Sequence, residues 1–536
     1  MDSMIYNPLE EFEKKFKNLH LENTNSFLEE LVKHSGVNVQ ENRETVRQYN
    51  EQTANLKKLK RSLNWWRFLR VVMIITVILI PLVIWKTTPK IRALREDVQN
   101  AEKKAAELLA LAERQMAPLN SSFTDRDALD IIEKTLPLLS FDKYFTVKQE
   151  VDMKINYDFD ESRNFEESTL DVLAGRYNDN PFLFENRLVH RMGTQIYHGY
   201  KTITWTETYR DSNGKLQRRT RSQTLHASVT KPKPFYNTQV VLNYCAQGGP
   251  DLSFTRDASS LHEKSDREIE RFVKRGEKKL KKKTDKAIKG GGDFTSMSNT
   301  DFEVLFDALD RDDEVQFRTL FTPLAQTNMV ALIRSKVGYG DDFSFFKRKR
   351  ANKIITTHSQ GRVINLLPIS YMSYSFDVIK ENFVGKNTEY FKAVYFDMAP
   401  VLAIPMYQER PVHSLMPIPD YTQRYSLKES EALANMVDRS FVVHPGTKTE
   451  AILKSSFVSS KDGVDETSIT AYSYDIENRI DVIPVYGGDG KFHDVPVHWE
   501  EYIPIEKTST FAVADAEKAS DESIIASRNG LCIFKI

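Results

Sequence analysis

The stretch whose reading decides the fold is FLRVVMIITVILIPLVIW, Phe68 to Trp85, in which Arg70 is the only charged residue. At ~1.5 Å per helical residue the run covers nearly ~30 Å, the thickness of a bilayer's hydrocarbon core. Arg67 and Arg70 fall at its first turn, where long side chains reach the headgroups. Trp65, Trp66 and Trp85 bracket it at interfacial depth, as an aromatic belt does. Pro81 removes one helical hydrogen bond, which spanning helices tolerate. A long charged stretch precedes the run and no small-residue cleavage site follows it, so it reads as an anchor rather than a cleaved signal. The pattern predicts one transmembrane helix over 67–86, with the lipid bilayer as the first partner.

Sidedness is balanced on charge. Lys57, Lys58, Lys60, Arg61, Arg67 and Arg70 lie on one side, and Lys86, Lys90, Arg92, Arg95, Lys103 and Lys104 on the other. The positive-inside rule therefore ties. The long charged N-terminal tail is poor cargo for translocation. A single-pass cell-membrane protein with a cytoplasmic N-terminus and the large region outside is the expectation.

Working outward, residues 1–66 read as a helical tail. Asn7, Pro8 and Glu10 make a helix start, and Leu9, Phe12, Phe16 and Leu19 follow at helical spacing. Ser26 with Glu29 suggests a second capped helix that Gly36 stops, and a third runs from about Val39. Beyond the anchor, a helical stalk is expected over 87–117. Ile91, Leu94, Val98, Ala101, Ala105, Leu108 and Ala112 occupy its a and d positions, a seam for a homodimer or a protein partner.

The remainder predicts an α+β fold: two mixed domains with antiparallel sheets, 118–289 and 293–506, then a tail over 507–536. Val151, Met153, Ile155 and Tyr157 alternate as a half-buried strand does. The run Gln195 to Tyr209 meets Asn213–Gly214, a strong hairpin signal, and returns from Leu216. Gly290–Gly291–Gly292 suits a hinge. Val315, Phe317 and Leu320 suggest a strand, and Thr322–Pro323 a helix start. Tyr390 to Tyr407 is apolar but interrupted by Lys392, Asp397, Pro400 and Pro405, so it reads as a buried helix leading into a strand. A last hairpin is expected at Gly487–Gly488–Asp489–Gly490.

Lys+Arg and Asp+Glu are equal at 75 each, which argues against a bulk nucleic-acid binder. Two cysteines, Cys245 and Cys532, exclude a disulfide scaffold and a cysteine zinc cluster, and suit buried thiols. The stretch FEVLFDALDRDDEVQFRTLFTPLAQTNMVALI, Phe302 to Ile333, stands with GYGDDF at Gly338 to Phe343 and PVHWEEY at Pro496 to Tyr502. Together they resemble a family of uncharacterised bacterial single-span membrane proteins. The resemblance implies a bacterial envelope protein and carries over no activity, substrate or catalytic residue.

No HExxH, GxSxG or CxxC occurs. His493 and His498 fall on opposite faces of a strand, and His358 and Ser359 point apart on an extended chain. Asp341 and Asp342 after Gly338–Tyr339–Gly340 would repel phosphate. Asp307, Asp310, Asp312 and Asp313, like Asp489, lack the oxygen spacing of a calcium loop. Lys278, Lys279, Lys281, Lys282 and Lys283 form a basic run suited to a solvated face or to anionic headgroups, and Phe345 to Arg350 holds a second. No cofactor, metal ligand or catalytic residue is assigned. The expected function is a non-enzymatic binding or scaffolding protein of the envelope. The alternatives are a membrane-tethered hydrolase with a dispersed site and a sensor that relays signals across the span.

Overall fold

The computed structural model describes residues 4–75, 87–159, 164–259, 261–290, 296–412, 416–515, 524–528 and 530–535. It is mixed α and β, with two antiparallel sheets. Its contacts divide it into two units: a helical one (Glu10–Pro137 with Asn365–Tyr395) and a sheet-bearing one (Met1–Leu9, Leu138–Ile364 and Phe396–Ile536). Both sides of the glycine run at Gly290 thus belong to the same unit.

The chain starts with α1 (Pro8–Glu11), a wider turn over Phe12–Phe16, and α2 (Lys17–Ser35). Ser26 lies inside α2, so the second capping box expected there does not start a helix; Gly36, at φ 65°, ends α2 as anticipated. In the helical unit Phe12 packs on Phe391 and Tyr395, and Phe123 stacks on Phe383. α3 (Val39–Ile75) and α4 (Thr88–Ser122) run antiparallel and side by side. Leu63, Ile91, Leu94 and Val98 form their shared core, with Leu56, Leu59 and Trp66 against it. Lys60 pairs with Glu102 at 2.8 Å, and Gln115 donates to Thr45 at 3.1 Å. The a and d positions of the expected stalk are therefore the right face with a different partner. Ile91, Leu94, Val98, Ala101, Ala105 and Ala112 are buried, and α3 of the same chain packs along this seam. α5 (Asp127–Thr135) completes the part of this unit before Pro137.

The sheet-bearing unit opens with β1 (Leu139–Phe141) and α6 (Val147–Tyr157). The alternation at Val151–Tyr157 is thus helical, not extended. Met153 and Tyr157, four apart, face inward, and a Thr146–Gln149 capping box starts the helix. β2 (Glu167–Tyr177), β3 (Asn180–Arg210), β4 (Leu216–Cys245) and β5 (Ser253–Arg256) follow. After α7 (Asp266–Gly290), α8 (Thr300–Phe306), α9 (Glu314–Leu320) and α10 (Pro323–Arg334) come β6 (Phe343–Arg348) and β7 (Ala351–Thr356). The strand expected at Val315–Leu320 is α9: Phe317 and Leu320 are buried three apart, while Val315 is exposed. The seven strands order as β1-β2-β3-β4-β7-β6-β5. Phe306, Phe317 and Phe321 pack with Phe254 of β5, which also meets Phe345 of β6, and Phe302 joins the cluster through Phe306 and Phe321. The stretch Phe302 to Ile333 thus supplies core.

α11 (Phe376–Leu402) carries the apolar run from Tyr390, and a short 3-10 turn at Pro405–Gln408 stands where a strand was expected. α12 (Leu427–Met436) then packs on the second sheet, ordered β11-β12-β10-β9-β8. These strands are β8 (Ile452–Lys461), β9 (Val464–Tyr486), β10 (Phe492–Asp515), β11 (Ile524–Arg528) and β12 (Leu531–Lys535). Cys245 and Cys532 are buried free thiols.

Two hairpins extend past their sheets. β3 pairs with β2 as far as Val189 and β4 with β7 from Val241, and among the described residues 191–210 and 216–235 pair only with each other. β9 and β10 do likewise beyond β8 and β12. The two ribbons pack face to face through Ile203, Leu225 and Ala227 against Val495 and Val497. Gly199 makes this approach feasible: a Cβ there would sit 2.2 Å from the Pro496 carbonyl oxygen. Gly214, at φ 75°, turns the first ribbon at the Asn213–Gly214 signal.

Candidate functional site

The apolar run can be followed on both flanks. Thr76 to Lys86, including Trp85, lie outside the described residues. Among the described residues no helix is long and apolar enough to cross a membrane. At the end of α3, Trp65 (58% exposed), Phe68 (65%), Val71 and Val72 are turned outward, while Trp66 packs toward α4. Arg67 is exposed and Arg70 half-buried. Outward apolar residues at positions 65, 68 and 72 mark one helix face that water solvates poorly.

The basic run lies on α7. Its buried face is Ile269, Val273 and Leu280, and Gly276 lets it sit close to Val304 of α8. Lys278, Lys279, Lys281 and Lys282 are exposed. Lys283 is different: its ammonium donates to the Leu309 carbonyl, and burial, with Arg311 nearby, lowers its pKa. It is a structural clamp and drops out of the headgroup set.

The acidic residues near Phe302–Ile333 act locally. Asp310 and Asp312 accept from the Thr255 and Ser253 amides, at 2.9 and 2.7 Å, and so satisfy the open edge of β5. Asp313 caps α9. Among the described residues no His, Cys, Asp and Glu group of three or more is suited to a metal ion.

The GYGDDF stretch spreads into two ionic contacts. Asp341 pairs with Arg256, and both are buried. Asp342 accepts from His358 Nδ1 at 2.5 Å, and His358 Nε2 lies 3.3 Å from Asp397. Tyr339 stacks on the imidazole at 3.7 Å and 4°. Ser359 and Thr356 donate to Asp397 at 2.6 and 2.5 Å, and Arg362 pairs with it. His358 and Ser359 do not point apart on an extended chain as expected: they lie in a turn after β7 and both reach Asp397, while the carboxylates they meet stand 16 and 39 positions from His358, where nothing local announces them. The geometry is that of a clamp: the Ser359 hydroxyl is committed to Asp397, not to the imidazole, so no His-activated nucleophile is formed. His190 packs between Tyr236 and Tyr474, and burial lowers its pKa. His493 meets Asp489 at 3.0 Å.

One open groove of about 970 Å³ lies along β5, β6 and β7, lined among others by Lys154, Asp158, Arg348, Lys349 and Lys353. Much of its charge is answered internally. Lys154 pairs with Glu150 at 2.6 Å, and Asp158 takes Arg350 at 2.7 Å and Lys349 at 3.7 Å. Lys347 is buried and donates to the Gly248 carbonyl at 2.9 Å; burial brings its ammonium down to about 7. A smaller polar cleft of about 320 Å³ reaches Arg187, Lys428 and Lys454, whose charges are balanced by Glu185, Glu167 and Glu431. Neither groove holds a nucleophile–base pair among the described residues.

Comparison with family models, curated proteins and solved structures returns no match.

Proposed function

We propose that the chain is a non-enzymatic binding protein of the bacterial envelope, fixed to one face of a bilayer by the 68–85 run and presenting its paired β-ribbons to a partner. The observation that carries the reading is the packing of α3 on α4. Leu63 and Trp66, before the run, share a core with Ile91 and Leu94, after it. A straight crossing would hold those flanks apart by a hydrocarbon core of ~30 Å. Side chains in one core lie on one side. We therefore place the two flanks of the run on the same side of the bilayer, in place of the straight single pass that hydropathy suggests. Trp65, Phe68, Val71 and Val72 supply outward apolar contact at its edge, and Arg67 and Arg70 reach the headgroups. A cytoplasmic N-terminal tail then implies a cytoplasmic body, and a signal relay through a straight span loses its basis.

The ribbons suit a contact role. At ~3.3 Å per residue, 191–210 reaches roughly 63 Å, and Ile196, Tyr200, Tyr209, Tyr486 and Phe492 are exposed on the two ribbons. The test is sidedness: the full-length protein carries a tag at each end in sealed cells and is exposed to external protease. Both tags should share one fate. One tag lost and the other protected would restore the straight crossing and end this reading.

A further inference from the structure

The outer face of α7 is the strongest unexplained feature of the surface. Arg267, Arg271, Lys274, Lys278, Lys282 and Lys289 recur every three to four residues, apart from Asp285 in the same row, and all six cations are exposed. They form one stripe opposite the buried Ile269, Val273 and Leu280. At ~1.5 Å per residue the stripe runs for roughly 33 Å. Among the described residues none of the six makes an ion pair within 4.0 Å. Like charges one turn apart (267 with 271, 274 with 278, 278 with 282) repel, so the helix is less favourable alone than beside a surface that neutralises it. Lys283, which is clamped inward, is not part of the stripe.

We propose that this stripe binds an anionic phospholipid surface. The partner is argued from charge complementarity and from the anchor, which ties the chain to a bilayer; in that respect the inference rests on the reading of the 68–85 run. Each basic residue close to a negatively charged leaflet is attracted within a Debye length, and a linear array on a rigid helix engages many headgroups at once. Nucleic acid is the less suited partner, because the exposed aromatic of α7, Phe272, lies about a third of a turn off the stripe beside Lys264 and leaves the row itself without a ring on which bases could stack.

The test uses full-length protein with vesicles of phosphatidylcholine alone or with about a third phosphatidylglycerol. Flotation with neutral vesicles reports the anchor. Hydrogen exchange of peptides from 266–290 reports α7. Protection there should rise about tenfold or more in anionic over neutral vesicles, fall away in 0.5 M salt, and be absent in the triple variant K274E/K278E/K282E, with its helix content checked by circular dichroism. If the protein floats with both vesicles but α7 exchanges equally in both, the stripe has no lipid role and the anchor stands. If it floats only with anionic vesicles, and the triple variant does not, the stripe stands and the anchor reading falls. Flotation with neither vesicle overturns both. Protection by single-stranded RNA with none by anionic vesicles would assign the stripe to nucleic acid and overturn the proposal.

Discussion

The two units bury polar groups by different means. In the helical unit the buried polar side chains are mostly uncharged: His20, Thr24, Asn42, Thr135 and Asn387. His20 Nδ1 lies 3.1 Å from Thr135 Oγ1, its Nε2 lies 3.2 Å from the Asn387 carbonyl, and its ring stacks on Phe391 at 4.1 Å. The sheet-bearing unit buries charges in pairs instead: Arg187 with Glu185, Arg256 with Asp341, Arg311 with Glu303, and Arg528 with Glu429. A neutral hydrogen-bonded group loses little when taken out of water, whereas a charge loses much and depends on its partner. The contrast predicts which unit fails first under each kind of insult.

The largest effect should come from splitting an ion pair. Arg311→Ala leaves Glu303 buried with its Oε1 cation gone, although the Met297 amide still donates to Oε2 at 3.1 Å. Breaking such a pair costs about 3–5 kcal/mol, because the remaining charge has nowhere to go. Urea unfolding of the variant should show this loss. The double variant R311M/E303Q should recover most of it. A cost below ~1 kcal/mol for Arg311→Ala would mean that water reaches Glu303, and the contrast between the units would collapse.

The helical unit should instead be sensitive to acid. Burial lowers His20 from 6.5 to about 4, against the smaller opposing pull of the Asn387 carbonyl. The folded pKa lies below the unfolded one, so the unfolded chain binds a proton first as pH falls. The contribution is whole above pH 6.5 and is lost progressively down to about 4. At ~1.36 kcal/mol per pH unit the loss is roughly 3 kcal/mol. Hydrogen exchange of peptides from Lys17–Ser35 between pH 7 and pH 4.5, corrected for intrinsic rates, measures it. In His20→Gln that pH dependence should flatten. If wild type and variant lose protection in parallel, the acid response comes from elsewhere.

What could be read ahead of the structure divides on the same physical ground. The hairpins at Asn213–Gly214 and Gly487–Gly490, the stop at Gly36 and the start near Val39 are local events, written in residues that touch along the chain. The seam of α4 was visible as a face, but a heptad pattern does not say whose helix fills it. The ion pairs were invisible: Arg256 meets Asp341 across 85 positions and Arg528 meets Glu429 across 99. The His358 cluster has the same character. Two strands were expected in error from too few apolar residues, at Val151–Tyr157, where they alternate, and at Val315–Leu320, where three of them recur. In each, helical signals competed: Thr146 with Gln149 before the first, and Asp313 before the second.

That first error yields the smallest and most local test. Thr146 Oγ1 accepts from the Gln149 amide at 3.2 Å, and Gln149 Oε1 accepts from the Thr146 amide at 2.7 Å, so two donors at the start of α6 are satisfied by one pair of side chains. Thr146→Ala removes one of these bonds and weakens the other, which should cost about 1 kcal/mol. Thr146→Ser, which keeps the oxygen, should restore most of it. The helix is also held by Met153 and Tyr157 in the core, so the loss should stay near that value in urea unfolding. No loss at all would mean that packing alone fixes α6. A loss as large as that of Arg311→Ala would mean that the cap supports more than one helix end, since the Val147 amide also bonds the Arg424 carbonyl at 3.2 Å and ties this turn to the segment leading into α12.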